Sequence, residues 1–153
     1  MNIKEAMALA INIAREAVSI SGDVPVGAVV LNSLGEVVAT GSNERELEND
    51  PTAHAEIVAI RRAAKKLGSW RLDEHILVVT LEPCAMCAGA IVQSRIPKIA
   101  FGAWDEKAGA VGSVWDILRD PRTLSRPEVI SGVLAEECAQ LLQSFFQGQR
   151  KGI

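Results

Sequence analysis

Hydrophobic residues return at helical spacing in three long stretches of the chain. From Ile3 to Ser21 they recur every three or four positions, which predicts an amphipathic helix that ends before Gly22. The same spacing predicts a helix over residues 53–67, capped by Gly68, and a closing helix over residues 134–147. Each helix has one apolar face, so we expect each to pack against a sheet or another helix.

Short apolar runs between turn-forming residues predict five strands, which cover residues 24–31, 36–41, 76–81, 98–102 and 127–131. A turn at 32–35 joins the first two strands. A helix over residues 84–94 separates the third from the fourth, which predicts a parallel crossover. Small residues in the first two strands indicate that another layer packs closely over them. The predicted fold class is therefore α/β, a three-layer α/β/α sandwich with a five-stranded mixed sheet.

Two polar segments are predicted as loops. Residues 43–50 form an acidic one, and residues 104–116 form a long, glycine-bearing one of the kind that often carries function. The sequence has no internal repeat, low-complexity tract or linker, and 153 residues that are 48% hydrophobic suffice for one substantial core. We therefore expect residues 1–153 to form a single domain.

Composition argues for a cytoplasmic protein that does not enter a membrane. No apolar run approaches the ~20 residues of a membrane span, and the first residues lack the basic and apolar blocks of an export signal. Three cysteines, two of them in a C-x-x-C pair, suit a metal site in a reducing compartment better than a disulfide framework.

The net charge of -3 argues against indiscriminate binding to polyanions. Acidic residues outnumber basic ones up to Glu82, whereas the rest of the chain is nearly balanced. If the partner is a nucleic acid, we therefore expect local contact through the second half of the chain. The basic residues there are Arg95, Lys98, Lys107, Arg119, Arg122, Arg126, Arg150 and Lys151.

Two cysteines lie where a predicted strand gives way to a helix. Cys84 and Cys87 follow Pro83, which suits the first turn of a helix, and their i, i+3 spacing puts both sulfurs on one face. The helix dipole at that end favours thiolates. Upstream, His54 and Glu56 stand at a second predicted helix start. We therefore expect two helix starts to face each other across one zinc ion held by His54, Cys84 and Cys87.

The predicted ligand set is typical of a catalytic zinc site, because three protein ligands leave the fourth tetrahedral position open. An ion held in this way activates water near neutral pH, and Glu56 stands close enough in sequence to move the proton. His-x-Glu followed by Pro-Cys-x-x-Cys is also the signature of zinc nucleobase deaminases. These residues favour hydrolytic deamination of an amine-bearing ring carbon.

The individual cysteine and histidine residues also have explanations that do not involve a zinc site. Cys84 and Cys87 alone would fit a redox pair, but that interpretation leaves the His-x-Glu segment unexplained. Cys138 falls on the apolar face of the closing helix and is expected in the core. His75 follows two acidic residues and is expected at the surface.

Further segments extend the pattern beyond the zinc ligands. They are 23–28 (DVPVGA), 50–56 (DPTAHAE), 80–90 (TLEPCAMCAGA), 94–96 (SRI), 101–103 (FGA), 107–113 (KAGAVGS) and 145–146 (FF). Together they resemble the bacterial tRNA-specific adenosine deaminases of the cytidine deaminase superfamily, over nearly the whole chain. The zinc motifs are common to that superfamily, whereas segment 107–113 and the Phe pair are narrower and carry the resemblance.

That resemblance implies a cytidine deaminase-like fold, one zinc ion per subunit of a homodimer, and a tRNA anticodon stem-loop as partner. The implied reaction converts the wobble adenosine of an arginine tRNA to inosine, with Glu56 as the catalytic proton shuttle. The resemblance also implies that Asn43 hydrogen-bonds the flipped purine and that Asp105 contacts the anticodon loop. Phe146 matches the region that packs beside splayed bases.

The chain departs from the family pattern at three places near the expected RNA site. Trp104 stands where the family carries arginine, and segment 44–49 is more acidic than expected. Segment 123–127 replaces a stretch that usually contains Asn-His-Arg.

Two other functions stay open on the sequence. A free-base or nucleotide deaminase, of the guanine or cytosine deaminase type, shares the zinc motif. The basic residues after Pro83 and the terminal Phe pair argue against it. A non-catalytic, zinc-stabilised RNA-binding module is the second alternative, but it would have no use for Glu56 or an open coordination position.

Overall fold

The computed structural model describes residues 1–151, and for residues 150 and 151 it describes the backbone alone. This part of the chain contains five strands and five helices. In chain order they are α1 (Ile3–Ser21), β1 (Gly27–Leu31), β2 (Val37–Ser42), α2 (Arg45–Glu48), α3 (Ala55–Leu67), β3 (Ile76–Leu81), α4 (Ala85–Gln93), β4 (Lys98–Ala103), β5 (Glu128–Ile130) and α5 (Ala135–Lys151). A 3-10 turn, Ile117–Arg119, lies between β4 and β5.

The strands form one sheet in the order β2-β1-β3-β4-β5. Strand β1 pairs antiparallel with β2 and β3, whereas β3 pairs parallel with β4 and β4 parallel with β5. Helix α4 connects the parallel strands β3 and β4, as the strand–helix–strand order predicted. The prediction of a five-stranded mixed sheet is confirmed.

Helices cover both faces of this sheet, so the predicted α/β/α sandwich is confirmed as well. Helices α3 and α4 cover one face over a core that includes Leu77, Ile91 and Phe101. Helices α1 and α5 cover the other face over a second core that includes Met7 and Cys138. Cys138 is 1% exposed, as predicted. Both faces of β3 are buried, which is why its sequence is a continuous apolar run rather than an alternating one.

Two glycines let these helices approach the sheet closely. A Cβ atom at Gly27 would overlap the carbonyl oxygen of Ala10 in α1. A Cβ atom at Gly41 would lie 2.5 Å from the carbonyl oxygen of Ala55, at the start of α3. The closely packed layer expected over the first two strands is therefore helix backbone, and the second contact sets where α3 begins relative to the sheet.

The structure corrects three local expectations. Residues 43–50 contain the short helix α2, because the buried carboxylate of Asp23 accepts hydrogen bonds from the amides of Arg45 and Glu46 at its start. Strand β1 begins at Gly27 rather than at residue 24, since Pro25 has no N–H for a ladder. His75, expected at the surface, is half-buried, and its Nδ1 lies 2.7 Å from the carbonyl oxygen of Asp73.

The helices over residues 1–151 all fall short of the length and apolar character needed to cross a bilayer. The side chains of Arg150 and Lys151, two of the basic groups noted in the sequence, lie outside the described residues.

Candidate metal centre and active site

The starts of two helices bring the predicted metal ligands together. His54 is the N-cap residue of α3 and Cys84 the N-cap residue of α4, and both have extended backbone. Cys87 lies in the first turn of α4 and is fully buried. His54 Nδ1 is 3.6 Å from the sulfur of Cys84 and 3.6 Å from that of Cys87. The three ligand atoms all lie within 4.8 Å of one another.

The position of His54 is fixed by a side chain from another part of the chain. Asn43 follows β2 directly, and its Oδ1 accepts a hydrogen bond of 2.9 Å from the amide of Ala55, the first residue of α3. Its Nδ2 donates a 3.0 Å hydrogen bond to the carbonyl oxygen of Val24. Asn43 thus caps α3 in place of the local N-cap residue, His54, whose side chain is directed to the cysteines.

The chemistry of the donor set fits zinc. One imidazole nitrogen and two cysteine sulfurs are ligands that zinc prefers, and three of them leave a position for water or substrate. A hydrogen bond from the Cys87 thiol, together with the neighbouring His54, lowers the pKa of Cys84 to about 4. The same hydrogen bond and burial raise the pKa of Cys87. One thiolate is therefore favoured, and a bound dication would take the place of the proton held between the sulfurs.

Glu56 lies at the second position of α3 and is 4% exposed. Burial raises the pKa of its carboxyl to about 7, although the neighbouring His54 acts in the opposite direction. Glu56 and His54 both border one cavity, because His54 stands outside the helix and the usual i, i+2 divergence does not apply. A carboxyl of this kind can take up and return a proton near neutral pH.

That cavity has a volume of about 150 Å³, below the usual ~300–1,000 Å³ of drug-sized ligand pockets. Space of this size suits a single small planar group. Of the residues predicted from the sequence, His54, Cys84, Glu56, Asn43 and Asp105 line it. The other lining residues are Val24, Val26, Arg45, Leu81, Glu82 and Ala108.

Sequence reasoning did not identify Arg45 and Glu82 as part of this site. Arg45 is held by the buried carboxylate of Asp23, to which its Nε donates at 3.2 Å. Glu82 is 2% exposed and accepts hydrogen bonds from the loop over residues 104–116. The sequence did contain a signal for Glu82, because it is a single charged residue between an apolar strand and Pro83. A carboxyl buried at such a position needs hydrogen-bond donors around it.

Phe146 does not reach the cavity but lies on a groove beside it. This groove has a volume of about 470 Å³ and shares Val24, Leu81 and Asp105 with the cavity. Its outer walls include Trp104 and Phe146, which are 49% and 48% exposed. Trp104 meets Phe101 edge to face, with ring centroids 4.8 Å apart, so the indole has a fixed orientation. The cavity and the groove together form a continuous concave surface.

Comparisons with known proteins agree with this geometry. Residues 1–103 match the family described as the cytidine and deoxycytidylate deaminase zinc-binding region. A tRNA-specific adenosine deaminase of Bacillus subtilis (strain 168) is 49% identical over 130 residues, which cover 85% of this chain and 80% of the relative. One of Haemophilus influenzae is also 49% identical over 130 residues, covering 85% of this chain and 75% of the relative.

Solved structures have the same fold. One, from a study of A-to-I editing by tRNA:A34 deaminases at the wobble position of transfer RNA, superposes with a TM-score of 0.85 at 43% identity and covers 90% of this chain and 99% of its own. A guanine deaminase from Bacillus subtilis superposes with a TM-score of 0.67 at 33% identity, covering 99% of this chain and 95% of its own.

Proposed function

The chain belongs to the cytidine and deoxycytidylate deaminase family and is a zinc-dependent deaminase, and we propose that it converts adenosine to inosine at the wobble position of a tRNA anticodon. The observation that carries the proposal is the set of three metal ligands beside a buried carboxyl, next to a cavity whose volume of about 150 Å³ suits one small planar group. The relatives at 49% identity are tRNA-specific adenosine deaminases, and arginine tRNA is the substrate that the sequence resemblance implies.

His54, Cys84 and Cys87 hold the zinc ion, which when bound activates water as a Lewis acid. Glu56 performs the proton transfers. Its carboxylate takes one proton from the attacking water and delivers it to a ring nitrogen. It then takes the second proton from the hydroxyl group formed at the ring carbon and delivers it to the amine, which departs as ammonia. Its position favours this role, because the carboxyl is 4% exposed and borders the same cavity as His54.

Asn43 is the residue that orients the purine. One N–H of its Nδ2 is used by the carbonyl oxygen of Val24, and Oδ1 is used by the amide of Ala55. A carboxamide has a second N–H, and Asn43 borders the cavity in a conformation that its other two bonds fix. The free N–H therefore serves as a donor to an acceptor nitrogen of the flipped base, with little ordering left to do on binding.

The groove next to the cavity accommodates the RNA on either side of the reacting adenosine. Trp104 and Phe146 offer half-exposed aromatic faces to a splayed base, and the exposed Lys107 on the same groove can approach a phosphate. Asp105 lines both the cavity and the groove, which supports a role between the reacting base and its neighbour. The partner is thus an anticodon stem-loop, and the homodimer implied by the resemblance would supply its second binding surface.

Similarity to a guanine deaminase makes a free-base deaminase the competing function. The test is incubation of the zinc-loaded protein with an anticodon stem-loop that carries adenosine at the wobble position, and separately with adenosine, guanine and cytosine. Mass spectrometry then detects the loss of one amine. We expect inosine in the stem-loop alone, at its wobble position, and none in a stem-loop with guanosine there. Deamination of free guanine with an unchanged stem-loop would refute the proposal in favour of the alternative.

A further inference from the structure

Glu82 is a buried carboxylate that the proposed chemistry does not use. It follows β3, is 2% exposed, and lies two residues before a metal ligand on the wall of the cavity. Its Oε1 accepts a 3.0 Å hydrogen bond from the amide of Asp105, and its Oε2 accepts 2.9 and 3.1 Å bonds from the amides of Val111 and Ser113. The Ser113 hydroxyl also donates to Oε1. All four of these donors are neutral.

The donors all come from the loop over residues 104–116, which folds around the carboxylate. The amide of Ala110 donates to the carbonyl oxygen of Pro83, which holds the loop next to the metal ligand Cys84. Gly109 has no side chain at the point where the loop passes Glu82, and a Cβ there would overlap the carboxylate carbon. The oxygens of a buried carboxyl group need hydrogen-bond donors, and this loop supplies them.

We propose that Glu82 is the positioning residue for the substrate loop: it fixes Asp105, and with it the cavity wall, against the zinc ligands. Ala110 and Val111 are buried in the core and anchor the middle of the loop, and the backbone amides of Asp105, Val111 and Ser113 converge on the one Glu82 side chain. Asp105 Oδ1 in turn accepts hydrogen bonds from the amides of Lys107 and Ala108. Fixing Asp105 therefore also fixes the next residues of the loop, of which Ala108 lines the cavity. This inference rests on the proposed function, because it assigns Glu82 to substrate binding.

The substitution Glu82→Gln separates positioning from other roles. The new amide nitrogen can replace only one oxygen, and fewest bonds are lost when it replaces Oε1, because Oε2 accepts from two amides. The Ser113 hydroxyl can then rotate to accept, but the amide of Asp105 faces another donor and loses its acceptor. The variant therefore releases the Asp105 end of the loop and retains the Val111 end.

The experiment compares steady-state kinetics, zinc content and amide hydrogen exchange of Glu82→Gln and wild type. We expect one zinc per chain, kcat within about twofold, and KM for the stem-loop raised about tenfold, the equivalent of one lost hydrogen bond. Exchange should accelerate at Asp105 and stay slow at Val111. Glu128→Gln, the same change at an exposed carboxylate on β5, is the matched control and should alter nothing.

Gly109→Ala disturbs the same contact from the loop side, since its methyl group overlaps the carboxylate and lies 2.5 Å from the carbonyl oxygen of Asp105. We expect it to raise KM at least as much as Glu82→Gln does. An unchanged KM with a protected Asp105 amide, or a lost kcat with unchanged KM, would overturn the positioning role. Inactivity of wild type on the stem-loop would instead refute the proposed function, and the exchange data would still decide whether Glu82 orders the loop.

Discussion

Replacing Asn43 with alanine should destabilise the protein through the start of α3. The carboxamide makes two hydrogen bonds, to the amide of Ala55 and to the carbonyl oxygen of Val24, and Ala55 is fully buried. Each lost bond costs about 0.5–1.5 kcal/mol, and a buried N–H left without an acceptor adds about 1–3 kcal/mol. We therefore expect Asn43→Ala to lower the free energy of unfolding by about 2–6 kcal/mol.

Asn43→Asp separates the cap from the donor. A carboxylate still accepts from the amide of Ala55, and its charge at a helix N-terminus contributes about 0.3–1 kcal/mol. It cannot donate to Val24 or to the purine, and it places an oxygen against the Val24 carbonyl. We expect Asn43→Asp to recover about half of the stability lost in Asn43→Ala, the cap being restored but not the donor. Its deaminase activity should not recover.

The measurement is urea unfolding of both variants and wild type, at one fixed concentration of free zinc so that metal linkage is the same for all. Asn12→Ala, at an exposed asparagine on α1, is the control and should fall within about 0.5 kcal/mol of wild type. If Asn43→Ala also falls within that range, Asn43 does not cap α3. If the two Asn43 variants are equally stable, the hydrogen bond to the amide of Ala55 does not account for the lost stability.

Four further outcomes are expected. Cys87→Ala should lose zinc, thermal stability and activity together, whereas Cys138→Ala should keep a full equivalent of zinc; full zinc in the first variant would contradict the ligand assignment. Glu56→Gln should keep zinc and RNA affinity but slow the single-turnover chemical step at least ~100-fold, and a rate within a few-fold of wild type would remove this residue from the mechanism. Phe146→Ala should weaken stem-loop binding by about 1–3 kcal/mol in titrations at several salt concentrations, and unchanged affinity would place the RNA elsewhere. Burial acts to raise the pKa of the Asp23 carboxyl, but hydrogen bonds from Arg45 and from backbone amides outweigh it, so the pKa lies below its usual value of 3.8. The stabilising contribution of Asp23 is therefore complete above pH 3.8 and is lost as the pH falls through the lower pKa of the folded state. Acid unfolding of Asp23→Asn should therefore begin from a lower stability at pH 7 and show less further loss as the pH falls below 3.8.

Local patterns determined most of the fold. The bounds of α1 and β3 agree with those expected from the sequence, because a strong helical period and a continuous apolar run each specify one structure. The metal ligands were identifiable for a similar reason, since Pro83, the C-x-x-C pair and the His-x-Glu segment each mark a helix start. By contrast, α2 is polar and short, and it forms only because Asp23 reaches it from another part of the chain.

Only the tertiary structure decided how the site is supported. Asn43 caps a helix twelve residues further along, and Glu82 binds a loop whose donors lie 23 to 31 residues away. Such bonds leave no periodic signal, because they depend on where two loops run after the sheet has formed. The sequence by itself identified the metal ligands and the carboxyl that we propose for proton transfer, because their chemistry needs particular residue types. Which neutral groups hold them in position follows from the packing of the sheet and the path of the loops.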